Sequence, residues 1–240
     1  MPNEDGRELS EIKKPILDLS TAIIDIWPQK TVDGPLTYLF GGSMAVNLIA
    51  MSTSCIAVPD IVSPVSLPKQ LQQFIRPVAD VDIVPLQVEY SPDALMLPEQ
   101  KARQLDKLTT SGDLKIDNLY HNYKSKHNYQ LVVGDREFFV ASFDIIAASK
   151  LLSCLTSFNK KPQILSSEIP KQIKIASDLY GGDRLWRLVQ EIFQTELDLG
   201  ATEPRWMTVP YQVERLLEHD LISDKLKKLV KIVASSVGIL

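Results

Sequence analysis

Apolar residues near the N-terminus recur at intervals of three and four, the spacing that places them on one face of a helix. These residues are Leu9, Ile12, Ile16, Leu19, Ile23 and Ile26. Pro15 interrupts the stripe, so the helix either begins at Pro15 or kinks there. A short, fully apolar run at 36–40 then predicts a buried strand, and the pattern at 43–51 predicts the helix that follows it.

The middle of the chain is less regular and then strand-rich. Residues 52–77 contain four prolines and several serines, and a short helix is predicted inside this stretch at 69–75. Gly134-Asp135 has the composition of a hairpin turn between two of the predicted strands. The predicted strands are 78–86, 114–117, 129–133 and 136–142, and a polar helix is predicted at 98–108.

The pattern becomes helical after Ser142, a residue type that caps helices. Apolar positions then follow a helical period, and the predicted helices after the first one are 168–180, 183–197, 209–219 and 222–237. The predicted fold class is therefore α+β. A mixed sheet flanked by helices is expected in residues 1–142, with an insertion near 52–77, and an all-helical domain is expected in residues 143–240.

Composition limits the possible partners. The chain has 240 residues, 45% of them apolar, and a net charge of -4, so RNA binding would need a local basic patch. Cys55 and Cys154 lie far apart and belong to no cluster with metal-ligand spacing, which suits a reducing compartment. The polar N-terminus does not resemble a signal peptide, and no apolar run reaches the roughly 18 residues of a membrane helix. We therefore expect a cytoplasmic protein without a membrane partner.

A Gly41-Gly42-Ser43 turn follows the first predicted strand. Two glycines let the backbone turn sharply and approach a ligand closely. The N-terminus of the next helix offers N–H groups and the positive end of the helix dipole to a phosphate. Ser43 either caps this helix or adds a hydroxyl group to a phosphate oxygen. Because the same string is also an ordinary strand-to-helix turn, a phosphate site is one of two interpretations.

The strand predicted at 78–86 contains Asp80-Val81-Asp82. Side chains alternate along a strand, so both carboxylates share one face. Aspartate is depleted in strands, and two like charges at this spacing repel each other unless a cation lies between them. Magnesium prefers carboxylates together with phosphate oxygens, so this pair and the glycine turn together indicate a magnesium–nucleotide site. The alternative is a solvent-facing edge of the sheet.

The two strings, in this order, resemble the signature of the polymerase-β-like nucleotidyltransferase superfamily. Within it, the chain is most similar to the AbiEii and MenT toxin nucleotidyltransferases. Arg76 lies four residues before Asp80, which is similar to the Arg-x-Thr-x-Asp-x-Asp motif of that group, with Val78 in place of threonine. The string at 143–151 resembles its acidic–apolar–Ala-x-Lys-Leu helix start, and the string at 177–180 resembles its Lys-Asp-Leu-Tyr-Asp segment.

The resemblance implies a set of site residues. The implied nucleotide-binding residues are Gly41, Gly42, Ser43, Lys150 and Asp178. Asp80 and Asp82 would bind magnesium and act in catalysis. Many members of the superfamily use a third carboxylate, for which Asp117 is the first candidate, because it could end a central strand, and Glu137 is the second. Asp144 is expected instead to stabilise the start of its own helix.

The implied activity is magnesium-dependent transfer of a nucleotidyl group from an NTP to a hydroxyl of RNA, such as tRNA, or of a protein. The active site is expected in the cleft between the two halves, and the resemblance suggests a toxin with a cognate antitoxin. Two alternatives stay open. One is an antibiotic-modifying nucleotidyltransferase, for which an acidic cleft would be expected. The other is a non-catalytic binding or scaffold protein, which the lack of a third carboxylate near Asp80 and Asp82 would favour.

Overall fold

The computed structural model describes most of the first 198 residues and isolated positions beyond them. The described residues are 9–30, 36–57, 65–78, 80–86, 115–118, 128–157 and 168–198, with 214, 217, 218, 224, 227, 228 and 231. The chain divides into two compact units, Met1–Ser142 and Phe143–Leu240. Every strand in the described residues belongs to the first unit.

The first unit is built on a mixed sheet. Its helices are α1 (Leu9–Ile26), α2 (Gly42–Met51) and α3 (Leu67–Leu71), the last followed by a 3-10 turn at Gln72–Phe74. Its strands are β1 (Tyr38–Phe40), β2 (Ser54–Ala57), β3 (Asp80–Pro85), β4 (Lys115–Asn118), β5 (Asn128–Val133) and β6 (Arg136–Ala141). They form one six-stranded sheet in the order β2-β5-β6-β1-β3-β4. The expectation of a mixed sheet accompanied by helices is confirmed at this level.

Helix α1 runs through the proline that interrupts its apolar stripe. It extends from Leu9 to Ile26 with Pro15 inside it, so a helix that begins at Pro15 is the wrong alternative. Ile12, Ile16 and Ile23 are buried, whereas Pro15 is exposed. The apolar stripe therefore fixes the helix by packing, although a proline cannot donate the usual backbone hydrogen bond.

Strand β1 lies at the centre of the first unit and leads into the glycine turn. All three of its residues are fully buried, which is why the sequence there is apolar without alternation. It is antiparallel to β3 and parallel to β6, with Phe40 beside Ile83 and Val140. Seven consecutive residues of α2, from Met44 to Ala50, are also buried, so the helix that follows the turn packs in the core.

The insertion at 52–77 contributes a strand that the sequence pattern does not predict. Strand β2 pairs with β5 in antiparallel register, from Ser54 opposite Val132 to Ala57 opposite Tyr129. Its four residues show no alternation, and its partner lies more than 70 residues further along the chain. The helix predicted at 69–75 is present as α3 and the 3-10 turn. The helix predicted at 98–108 lies outside the described residues.

The predicted hairpin is confirmed. Strands β5 and β6 pair along their whole length, and the turn between them contains Gly134 with φ +64°. A positive φ is readily adopted by glycine and rarely by other residues. The strand predicted at 114–117 is present as β4, Lys115–Asn118.

The described part of the second unit is helical. It contains α4 (Phe143–Ser157), α5 (Ile169–Tyr180) and α6 (Gly182–Asp198), which pack on one another through buried residues such as Leu151, Ile173 and Leu185. The last two predicted helices fall mostly outside the described residues, but the seven described positions between 214 and 231 are all helical. None of the helices in the described residues is long and apolar enough to cross a membrane.

The start of α4 is stabilised by a different residue from the predicted cap. Ser142 immediately precedes the helix, but its buried hydroxyl group makes no hydrogen bond within the described structure. Asp144 is fully buried, and its Oδ1 accepts the Ile145 N–H at 2.9 Å while its Oδ2 accepts Arg184 Nε–H at 2.6 Å. The prediction that Asp144 stabilises its own helix start is confirmed, whereas Ser142 has the position of an N-cap but makes no capping hydrogen bond.

Replacing Arg184 with methionine is expected to destabilise the second unit by about 3 kcal/mol or more, because it leaves the Asp144 carboxylate buried without its cation. Arg187 lies on the same helix, α6, but is exposed, so Arg187→Met is the matched control and should change stability by about 0.5 kcal/mol or less. Urea unfolding followed by circular dichroism measures both variants. Equal stability of the two variants would contradict a stabilising role for the Asp144–Arg184 pair.

Candidate functional site

The glycine turn joins the buried end of β1 to the first turn of α2. Gly41 is the N-cap residue, with extended backbone angles, and its N–H donates to the Asp82 carbonyl oxygen at 2.8 Å. Gly42 is the first helical residue and has φ +48°. The turn is therefore fixed against β3 by a backbone hydrogen bond that continues the β1–β3 ladder.

The carboxylate of Asp82 lies directly against Gly42. A Cβ atom built on Gly42 would lie 1.6 Å from Asp82 Oδ2 and 2.6 Å from its Cγ. No side chain larger than hydrogen fits there while Asp82 keeps its position. The two strings that the sequence analysis singled out are thus in van der Waals contact, although 37 residues separate Gly42 from Asp80.

Asp80 and Asp82 share one face of β3. Asp80 is exposed and Asp82 is half-buried, whereas Val81 and Ile83, on the alternate positions, are fully buried. The strand therefore directs its apolar residues into the core and its two carboxylates to the other face. A purely solvent-facing sheet edge does not describe this pair, because β3 lies between β1 and β4 in the sheet.

Asp117 occupies the position beside Asp82 on the neighbouring strand. Strands β3 and β4 are parallel, with Asp80 opposite Lys115 and Asp82 opposite Asp117. Residues opposite each other in a ladder share a face of the sheet, so the three aspartate positions lie on one face. The side chain of Asp117 is outside the described part of the structure. Among the described strands, β4 lies at the edge of the sheet, so the expectation that Asp117 ends a central strand is wrong.

Glu137 is not part of this arrangement. It lies in β6, three residues before Val140, the residue that pairs with Phe40. This spacing puts Glu137 roughly 10 Å from the level of Phe40, in the direction away from Gly41. Its Oε2 accepts a hydrogen bond from Gln130 Nε2 at 2.9 Å. The second candidate for a third carboxylate is therefore at the wrong end of the sheet.

Ser43 lies inside α2 and is in contact with Arg76. Gly41 is the N-cap of α2 and Ser43 is its second residue, so of the two roles considered for Ser43, the N-cap is excluded. Instead, Arg76 Nη2 donates to Ser43 Oγ at 2.8 Å. A serine hydroxyl and a guanidinium group therefore lie together at the first turn of the helix, where backbone N–H groups are also directed out of the helix.

Asn47 is a site residue that the sequence analysis missed. Its side chain is fully buried, and it bonds to the backbone of Arg76 twice. Nδ2 donates to the Arg76 carbonyl oxygen at 2.9 Å, and Oδ1 accepts the Arg76 N–H at 3.2 Å. The sequence did contain a signal, since Asn47 is a single amide residue within an otherwise apolar stretch of α2. A polar side chain that is buried needs specific hydrogen-bond partners, so such a residue indicates a fixed contact.

Lys150 and Asp178 belong to the second unit and have partners there. Lys150 Nζ donates to Gln172 Oε1, and Asp178 pairs with Lys174 one turn earlier on α5. Burial raises the pKa of the Cys154 thiol to about 12, and the nearby charge of Lys150 opposes this shift. Asp178 is exposed. The contacts of Lys150 and Asp178 with a nucleotide remain predictions.

Asp80 and Asp82 are the two carboxylates on this face of β3 that the structure describes. Among the residues that the structure describes, no group of three or more histidine, cysteine, aspartate or glutamate side chains could hold a metal ion. The described donors are the carboxylates of Asp80 and Asp82. Magnesium is typically held by one or two carboxylates, with the remaining positions filled by water and substrate phosphate oxygens. Asp80 and Asp82 fall within this range of one or two carboxylates.

No protein-family profile, curated protein or solved structure shows significant similarity to this chain.

Proposed function

We propose that this chain is a magnesium-dependent nucleotidyltransferase, which moves a nucleotidyl group from an NTP to an acceptor hydroxyl. The observation that carries the proposal is the contact between Asp82 and Gly42. This contact brings a pair of carboxylates to the start of a helix that follows a glycine turn. Metal-binding and phosphate-binding groups are needed at one place for this chemistry.

Asp80 and Asp82 would hold the magnesium ion, and Asp117 is the neighbouring carboxylate position on β4. A bound magnesium ion would neutralise part of the negative charge of the triphosphate. The position of Asp117 argues against the scaffold alternative, which rested on the lack of a third carboxylate near the pair.

The residues of α2 would bind and orient the triphosphate. The absence of a side chain at Gly42 lets the Asp82 carboxylate lie beside the helix start, and the backbone N–H groups of that first turn would attract the phosphates. Ser43 and Arg76 add a hydroxyl group and a cation beside them. Binding of this kind places the α-phosphorus in line with the attacking oxygen. Asp117 would accept the proton of the acceptor hydroxyl. The acceptor oxygen then bonds to the α-phosphorus as the bond to the β-phosphate oxygen breaks, and pyrophosphate leaves.

The acceptor and the biological role rest on the resemblance alone. We propose a hydroxyl of RNA, such as a tRNA end, or of a protein, and the role of a toxin with a cognate antitoxin. Lys150 and Asp178 as nucleotide contacts have the same basis. An antibiotic as acceptor would use the same chemistry, so the acceptor is a question for a substrate screen.

Calorimetric titration of the four NTPs, with and without magnesium, tests the proposal. The wild type is expected to bind at least one NTP only when magnesium is present. Asp117→Asn is expected to keep this binding within a few-fold but to lower the transfer of α-labelled nucleotide to tRNA or protein by about a hundredfold or more, as for the loss of a general base. Asp135→Asn, an exposed carboxylate in the hairpin turn, is the control. Failure of the wild type to bind any NTP would contradict the proposal and favour a scaffold.

A further inference from the structure

We infer that Asn47 is a positioning residue, whose amide directs the guanidinium group of Arg76 to the phosphates of the bound nucleotide. The inference rests on the proposed function and adds to it a residue outside the two motifs. Asn47 makes no contact with the nucleotide in this arrangement. It acts through the backbone of Arg76.

The side-chain amide of Asn47 binds both backbone polar groups of Arg76. It donates to the carbonyl oxygen of Arg76 and accepts from its N–H, as an adjacent strand would. The two residues are 29 positions apart, so the bonds also close the long segment between α2 and β3. Asn47 is fully buried, so its amide depends on these two bonds for its hydrogen-bond partners. This contact fixes the backbone of Arg76, from which its side chain reaches Ser43 Oγ.

The arginine side chain then runs along α2 toward the start of the helix. Ser43 lies four residues before Asn47, and residues at this spacing share one face of a helix. The rise over four residues is about 6 Å, which an extended arginine side chain spans. The backbone of Arg76 is held at Asn47 and its Nη2 atom reaches Ser43 Oγ at 2.8 Å. The guanidinium group of Arg76 therefore lies at the first turn of α2.

The charges at the start of α2 suit an anion. The N-terminus of a helix carries a partial positive charge, which favours carboxylates and phosphates and disfavours arginine. The carboxylate of Asp82 lies against Gly42 in the same turn and offsets part of this cost. A triphosphate would supply several further negative charges, and the guanidinium fork matches phosphate oxygens. The arrangement is thus suited to a polyanion, and Asn47 is the residue that maintains it.

Only asparagine suits position 47 among side chains of its size. Its amide offers both a donor and an acceptor, whereas aspartate lacks the donor and leucine lacks both. Gln29 provides a natural comparison in the same unit. Its buried amide donates to Phe139 O at 2.7 Å and Tyr38 O at 3.3 Å and accepts Phe139 N–H at 2.8 Å, near the opposite end of β1 from the glycine turn.

The experiment compares Asn47→Ala, Arg76→Ala, the double variant and Gln29→Ala with the wild type. Two quantities are measured for each protein: the Kd for the magnesium–NTP complex by calorimetry, and the melting temperature. Asn47→Ala and Gln29→Ala should both lower the melting temperature, because each removes bonds to buried backbone groups. Arg76→Ala should leave it nearly unchanged, since the backbone bonds to Asn47 remain.

The binding data separate a positioning role from a structural one. We expect Asn47→Ala and Arg76→Ala each to raise the Kd about tenfold, with no further increase in the double variant, while Gln29→Ala keeps the wild-type Kd. An unchanged Kd in Asn47→Ala, or a fully additive loss in the double variant, would overturn the inference and leave the proposed function standing. Absence of NTP binding by the wild type would overturn both.

Discussion

Gly42→Ala is expected to abolish magnesium-dependent NTP binding and to destabilise the first unit. A non-glycine residue with φ near the +48° of Gly42 costs about 1–2 kcal/mol. The new Cβ atom would also lie 1.6 Å from Asp82 Oδ2, so the carboxylate has to move out of the site. Urea unfolding measures the first effect, and calorimetric titration with the magnesium–NTP complex measures the second.

Gly134 is a matched control for this substitution. It also has a positive φ, of +64°, but the nearest atom to a Cβ built there is Leu17 Cδ2 at 4.0 Å. Gly134→Ala should therefore show a similar backbone cost, about 1–2 kcal/mol, and bind nucleotide like the wild type. If Gly42→Ala kept wild-type affinity, the contact between Gly42 and Asp82 would not belong to a nucleotide site.

Asp82→Asn and Asp80→Asn are expected to lose magnesium-dependent NTP binding while keeping the fold. Asparagine has nearly the shape of aspartate, so it fills the same space beside Gly42 and removes only the charge. A bound metal ion contributes several kcal/mol to stabilising charge in the transition state. Any remaining transfer should therefore be slower by at least about a hundredfold. Calorimetry in magnesium and transfer of α-labelled nucleotide measure the two effects.

The control for these variants is Asp135→Asn, which removes the same charge from the hairpin turn of the same unit. It should bind and react like the wild type, so that a change in net charge alone is excluded as the cause. Wild-type affinity for the magnesium–NTP complex in Asp82→Asn would show that this carboxylate does not hold the metal. The glycine turn would then be only a strand-to-helix connection.

Local patterns in the chain were sufficient to predict most of the regular structure that the described residues show. The apolar stripe predicted α1, the apolar run before the glycines predicted β1, and Gly134-Asp135 predicted the hairpin. In each case the signal is carried by residues close together in the sequence. Strand β2 was missed because its four residues have no alternation, and its pairing with β5 depends on residues far along the chain.

The start of α4 shows how tertiary contacts override a local rule. Ser142 has the residue type and the position of an N-cap, yet its hydroxyl makes no bond in the described structure. The buried carboxylate of Asp144 is preferred, because Arg184 from a later helix pairs with it. This partner cannot be found from the residues that surround the helix start.

The sequence by itself determined the candidate residues: the glycine turn, with its freedom of backbone angles, and the two aspartates on one face of a strand. Only the tertiary structure decided that Asp82 lies against Gly42, that Asp117 rather than Glu137 is its neighbour, and that Asn47 holds Arg76. The physical reason is the range of the interactions. Residue type and spacing along the backbone set propensity and periodicity, whereas strand register and buried hydrogen bonds are set by segments that meet only when the core is packed.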